Sequence, residues 1–542
     1  MKTMRRGFLV LLVFALAMGG ASAETVLSEP GTLPLAEETI HLSVGLSQST
    51  VVEDFDTNAQ TLRLEDDLNV ELEFVYYPST AEEFIQKVEL QIMAGGDELP
   101  DIIMSDLGGL NNLAMYGQMG IILPVTEYYD TIAYYTDQNM EANGLNKEDL
   151  LRYITAYDGE IYGLMRYHAY INNSLSASRM LVYEPWLETL GIERPQTTEE
   201  FAEMLRRFRD EDPNGNGEAD EIALMGLADT VNSNFMRYLM NPFIYCQENY
   251  YIRNEDGTIG FAANQEGWKE GIQWIKSLYD EGLISPLTFT QDSTQLNAIV
   301  VPEPEVVGCL ARMSGTMFPA TDVRRGQYVC LDPLEGPSGL RQTQWTEQIP
   351  SIGMVITKNC ENPEAAFRFG DYMCSELISV WNRYGEEGVD WLVPDENTVG
   401  TAEGLGFPPA MSVVSTWGVL QNSWWGQVGP YILTDKITCG QGTDPDGLAY
   451  NAAYHLFRTM EKELEYSVPI VNGLVYNEEE QEIINEYQST INDYVLNSFS
   501  EFVTGVRDIE ADWDSYVDEF DKMGLDEYME AVNSCYARMY SE

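Results

Sequence analysis

Between residues 40 and 104 the hydrophobic period switches repeatedly, and that alternation narrows the fold more than any other feature. Ile40, Leu42, Val44 and Leu46 recur at every second residue, the spacing of a strand with one buried face. Residues 58–68 read as a helix, and Val70, Leu72, Phe74 and Tyr76 return to period two. Ser79 or Thr80 can cap a second helix, with Glu82 and Glu83 in its first turn and Ile85, Val88 and Ile92 on one face. Gly95 and Gly96 end it, and residues 99–104 form a short buried strand. Strand, helix, strand, helix, strand predicts an open, mostly parallel α/β sheet, because parallel neighbours need a crossover that only a helix supplies cheaply.

Later segments keep this mixed character. Thr197 with Glu200 is a capping box ahead of Phe201, Met204, Leu205 and Phe208. Residues 268–279 and 361–374 read as amphipathic helices, the second opened by Asn362-Pro363. The last third is predominantly helical: Ile484, Tyr487, Ile491, Tyr494, Val495, Phe502 and Val503 recur at three- to four-residue steps until Gly505. A chain of 542 residues exceeds one ordinary domain, so two or more lobes are expected.

Lys2, Arg5 and Arg6, the apolar run at 8–18 and Ala21-Ser22-Ala23 make residues 1–23 a signal peptide, too short in its apolar part to span a bilayer. Its removal takes away three basic and no acidic residues, so the formal charge falls from −58 to −61. That field repels nucleic acid and anionic lipid, and it argues weakly against a polyanionic ligand unless local basic residues override it. The first of seven cysteines is Cys246, so no lipid-attachment cysteine follows the apolar run. Their number is odd and their spacing wide, which predicts buried thiols and at most one bridge.

Asp212-Pro213-Asn214-Gly215-Asn216-Gly217-Glu218-Ala219-Asp220-Glu221 places oxygen-bearing side chains at positions 1, 3, 5 and 9 and glycine at position 6. This is the start of an EF-hand-type Ca²⁺ loop, in which glycine permits the turn that aims oxygens inward. The bidentate Glu of position 12 is missing, since Ala223 stands there, and Glu221 is the nearest substitute. A structural Ca²⁺ is expected.

Three further stretches carry a resemblance when taken in order with this loop: Leu99-Pro100-Asp101-Ile102-Ile103; Tyr384-Gly385-Glu386-Glu387-Gly388-Val389-Asp390-Trp391; and Phe502-Val503-Thr504-Gly505 followed by Asp512-Trp513-Asp514-Ser515-Tyr516-Val517 and Met523-Gly524-Leu525-Asp526-Glu527-Tyr528. Over residues 38–540 the chain resembles the extracellular solute-binding proteins (family 1) of carbohydrate ABC transporters, in the large lipoprotein branch that includes alginate-oligosaccharide binders. The resemblance implies an α/β two-lobe clamp of the periplasmic-binding-protein type (type II), with several hinge crossings and a helix-rich C-terminal region. Expected boundaries are a linker at 24–37, one lobe at 38–155 plus 297–360, and the other at 156–296 plus 361–542. Calcium ligands carried over are Asp212, Asn214 and Asn216 by side chain, Glu218 by its carbonyl, then Asp220 and Glu221. The expected function is capture of an oligosaccharide or similar polar solute for an ABC permease, by a monomer and without catalysis. Lacking a lipid anchor, the protein would be periplasmic, secreted, or held by an uncleaved signal segment.

Sugars offer apolar C–H faces and a rim of hydroxyls, so aromatic rings and polar side chains bind them together. Trp391 is the first candidate, with Glu387 beside it; Trp345, Asp106, Tyr167 and Arg312 complete the expected ligand set, and Trp417 is a further possibility. Trp424-Trp425 could be a surface platform for a polymer, or one ring could be buried and one half exposed. Two other functions compete. An exported carbohydrate-active enzyme would need only paired carboxylates, but G-x-S-x-G, H-E-x-x-H and G-x-x-x-x-G-K are all absent. A calcium-dependent surface adhesin would bind cell wall rather than soluble sugar.

Overall fold

The computed structural model describes residues 25–171, 179–227, 234–415 and 419–540. The expected signal peptide and Trp417 lie outside them.

The alternating segment folds as its periods predict. Ile40–Ser47 pairs in parallel with Val70–Tyr77, register Ile40 to Val70 through Ser47 to Tyr77, and on its other side with Ile102–Ile103. The crossovers are the helices Ala59–Leu68 and Ala81–Met93. Thr80 caps the second, its side chain accepting from the Glu83 N–H, and Phe84, Val88 and Ile92 form its buried stripe. Three more strands complete a six-stranded sheet in the order Tyr431–Leu433, Leu164–His168, Ser351–Ile356, Ile102–Ile103, Ile40–Ser47, Val70–Tyr77. Only Ser351–Ile356 runs antiparallel to its neighbours. Tyr76 is 37% exposed and Tyr77 only 1%, the reverse of the expected pattern. Val70–Tyr77 is the sheet's edge, where alternation binds the chain least.

A second sheet of four strands has the order Tyr328–Cys330, Met180–Tyr183, Val307–Ala311, Ile222–Met225. Helices cover it, among them Thr198–Asp210 with its Thr197–Glu200 capping box, and Glu266–Asp280. The C-terminal helices Glu478–Thr504, Ile509–Lys522 and Leu525–Tyr540 pack into the same core. Gly505, at φ +78°, ends the first of them in a left-handed cap.

Each sheet organises its own hydrophobic cluster. The chain passes from the first to the second between Ala169 and Tyr170, returns between Leu334 and Ile352, and leaves again between Ile432 and Cys439; within the last return Ala402 joins the second core, with Leu405 and Phe407 packed against it. These crossings fall at other points of the chain than the expected lobe boundaries. Leu164–His168 and the helix Pro363–Met373 belong to the first core, while Val307–Ala311 belongs to the second. The cause is legible: Val-Gly-Cys-Leu-Ala at 307–311 is buried at every position and so carries no polarity that assigns it to either sheet. The expected linker is docked, with Leu35 and Ala36 buried in the first core and the Leu35 N–H donating to the Leu68 carbonyl at 3.0 Å. All seven cysteines are buried and free, because a small apolar thiol packs like any other hydrophobe. No helix of the described residues is long and apolar enough to cross a membrane.

Candidate functional site

The first crossing strand divides two cavities by its own periodicity. Tyr167 and Ala169 line a cavity of 530 Å³, whereas His168 and Tyr170 line a larger cleft of 890 Å³. Successive side chains of extended backbone point to opposite sides, so one strand serves both.

The larger cleft draws its walls from both clusters. Tyr170, Tyr384, Trp424 and Tyr450 contribute rings, and Gln427, Gln441, Asn451, Ser415 and Thr443 contribute neutral polar groups. Tyr384 ends the helix Glu376–Tyr384, and Gly385 caps it at φ +80°. A Cβ there would stand 2.3 Å from Asp390 Oδ2, so only glycine fits. Asp390 in turn accepts from the Glu386 N–H at 2.9 Å and the Ser415 hydroxyl at 2.7 Å, tying the turn to the cleft wall. Arg383 Nη1 donates to Gln427 Oε1 at 2.6 Å, and its guanidinium lies 5.8 and 5.2 Å from the ring centres of Tyr170 and Tyr384.

His168 stacks on Tyr170 with ring centres 5.8 Å apart, and its Nε2 is buried without a hydrogen-bond partner. Burial, aided by Arg383 and Arg166, pushes its pKa down from the usual 6.5 to about 3. The folded protein therefore holds it neutral. The stability that goes with the depressed value is present above pH 6.5 and is lost as pH falls towards 3. Because His168 is only partly buried, we expect a loss on the order of 1–2 kcal/mol over this window rather than the full worth of the shift. Urea unfolding at pH 7 and pH 4 checks this: His168→Gln should lose less stability between the two than the parent, and an equal loss would contradict the assignment.

The structure scatters the ligand set expected from sequence. Tyr167 and Trp345 meet in the 530 Å³ cavity, with Arg152, Arg253, Glu347 and Asp435. Trp391 and Glu387 line a separate 600 Å³ pocket with Trp381 and Lys436. The Trp391 Nε1–H donates to the Gly385 carbonyl at 3.1 Å, and the ring packs on the small cluster of Val380, Tyr384 and Met411. Asp106 accepts from the Gly108 N–H at 3.2 Å, and Arg312 donates to Asn297; neither lines any of these three cavities, although Met313 beside Arg312 lines the large cleft. Trp424 and Trp425 are 4% and 0% exposed, so they are neither a surface platform nor a half-exposed pair. Trp425 Nε1 donates to Thr61 Oγ1 at 2.8 Å, inside the first core. Tyr170, Arg383 and Tyr384 line the large cleft and were absent from the set expected from sequence. The available signal was the Arg-Tyr pair directly ahead of Gly385, where a helix must stop.

The acidic loop is folded around its own side chains. Asp212 Oδ1 accepts from the Asn216 N–H and Oδ2 from the Gly217 N–H, each at 3.1 Å, and Asn216 Oδ1 accepts from the Glu218 N–H at 2.7 Å. The amides of Asn214 and Asn216 donate to Asp220 at 3.1–3.2 Å. Gly217 has φ +78° and Asp212 itself φ +46°. No three His, Cys, Asp or Glu side chains of the described residues are gathered as a metal-ligand group; asparagine amides occupy the positions between the acids. One feature fits a cation. Glu221 Oε1 is buried with no hydrogen-bond partner, and burial together with Asp220 and Asp212 raises its carboxyl above the usual range.

The chain is similar to the fructooligosaccharide ABC transporter substrate-binding protein FusA of Streptococcus pneumoniae serotype 4, with 25% identity in a 558-residue alignment covering 99% of this chain and 98% of that protein. The structure of FusA in complex with kestose superposes with a TM-score of 0.74 at 23% identity, over 92% of this chain and 99% of that one, and an EF-hand mutant of FusA has also been solved. The alginate-binding protein AlgQ2, solved without calcium ion, gives a TM-score of 0.64 at 19% identity over 92% of this chain and 98% of that one. The polygalacturonan/rhamnogalacturonan-binding protein YtcQ of Bacillus subtilis is 20% identical over 341 residues, 61% of this chain and 63% of that protein. These likenesses show a shared two-lobe α/β fold. The profile of the bacterial extracellular solute-binding proteins matches residues 63–376, more than half of the sequence, and the chain belongs to that family.

Proposed function

We propose that the two core clusters are the two lobes of the clamp and that an oligosaccharide is captured, without turnover, in the 890 Å³ cleft between them, for delivery to an ABC permease. The observation that carries the reading is the cleft itself: rings and neutral amides from both clusters line one space of ligand size. Paired carboxylates, the minimum for glycoside hydrolysis, are missing from the described residues of that lining. The family and its solute-binding relatives do not favour an enzyme or an adhesin. Relatives with names as different as fructooligosaccharide- and polygalacturonan-binding support the solute class and leave the sugar open. An exported protein at the cell surface or in the periplasm agrees with the family.

Calcium belongs to the same proposal as a structural ion. Asp212, Asn214, Asn216, the Glu218 carbonyl, Asp220 and Glu221 would hold it, and it would neutralise the acids that now face one another.

A second reading is favoured by the meeting of Tyr167 and Trp345 in the 530 Å³ cavity. Binding measured on two variants separates them. Tyr384→Ala should weaken saccharide affinity by roughly tenfold, the worth of one aromatic face, and Trp345→Ala should leave it unchanged. The opposite result would move the ligand to the smaller cavity.

A further inference from the structure

Resting on that reading of the cleft, we propose that its solute is an oligosaccharide bearing carboxylate groups, a uronate-type sugar, and that Arg325 and Arg383 select it. Roughly one residue in six of this chain is acidic, 88 of 542, and the formal charge is −58. Yet no Asp or Glu stands among the described residues that line the large cleft, while Arg325 enters from the second cluster's side and Arg383 from the first. The other cavities show the contrast. The 530 Å³ cavity contains Asp149, Glu347 and Asp435, and the 600 Å³ pocket contains Glu376, Glu386 and Glu387.

Three carboxylates near the cleft, Glu305, Asp322 and Asp390, are already committed. Arg324, the neighbour of Arg325, takes Asp322 at 2.5 Å and Glu305 at 3.3 Å. Asp390 is held by the Glu386 N–H and by the hydroxyls of Ser415 and Ser423. Arg325 is left with a buried Nε that has no hydrogen-bond partner among the described residues, and burial lowers its pKa. Around Arg383 stand Gln427 and the rings of Tyr170 and Tyr384. Charged donors thus outnumber charged acceptors among the described residues that line the cleft. A neutral sugar needs acceptors for its hydroxyl protons; a carboxylate needs donors, and the guanidinium fork matches it with two parallel hydrogen bonds. The protein's overall negative field acts on approach and is screened beyond about 8 Å at physiological salt, so it does not prevent the local pairing.

Calorimetric titration of the full chain tests this with three probes: trigalacturonate, its methyl ester, and a neutral fructo-trisaccharide. Trigalacturonate should bind at least tenfold more tightly than the ester. Arg325→Gln and Arg383→Gln should each weaken the acid ten- to hundredfold, the worth of one charged hydrogen-bonding group, and weaken the ester by a clearly smaller factor; an equal loss for acid and ester would overturn the charge selection. If Arg383→Gln fails to fold, Arg325→Gln carries the test alone. Ester or neutral sugar binding as tightly as the acid overturns this proposal and leaves the solute-binding reading intact. Binding of none of the three, nor of any saccharide in a wider panel, overturns both.

Discussion

Replacing Glu463 by alanine should destabilise the protein by about 3–5 kcal/mol, the range for removing one partner of a buried ion pair. Arg179 and Glu463 are 1% and 5% exposed by side chain, and Nε approaches the carboxylate at 3.2 Å within the second core. Burial raises the Glu463 carboxyl above its usual range even against the pull of Arg179, so the pair does not repay its own desolvation generously. The single mutant keeps that desolvation cost on the arginine and forfeits the attraction. The double replacement Arg179→Met, Glu463→Leu removes both charges and should cost far less. Urea denaturation of the three proteins decides it. If the single and double variants are equally destabilised, packing rather than charge pairing holds this site.

Removing calcium should lower the unfolding temperature, and an ion present at 100 times its dissociation constant stabilises by ~2.7 kcal/mol. The sign follows from the loop. Asp212 and Asp220 repel Glu221, and Glu221 Oε1 is buried without a partner among the described residues. A cation reverses each of these penalties. Calorimetry with Ca²⁺ and with a chelator measures the difference, and Asp212→Ala should abolish it. An unfolding temperature that ignores the chelator would remove calcium from the account.

Sequence was a good guide wherever a local rule fixed the geometry. Period two placed Ile40–Ser47, the Thr197 capping box placed its helix, and Gly505 ended the long C-terminal one. It said less about which sheet a strand joins, because Leu164–His168 and Val307–Ala311 pair with strands that lie far away in the chain. The same cause scattered the expected ligand set. Trp391 looked unoccupied by any core because its neighbours Val380 and Met411 are distant in sequence. Tyr170 owes its place in the cleft to a strand phase, and Tyr384 to a helix stop; each is legible only once the crossings are known.

The most direct test of the central claim is a thermal-shift series on the calcium-loaded chain across neutral and acidic mono- and oligosaccharides, with chromatography of each sugar afterwards. The account predicts a rise in melting temperature for one class of oligosaccharide, recovered intact. A flat response across the panel, or shortened sugar in the eluate, would contradict it.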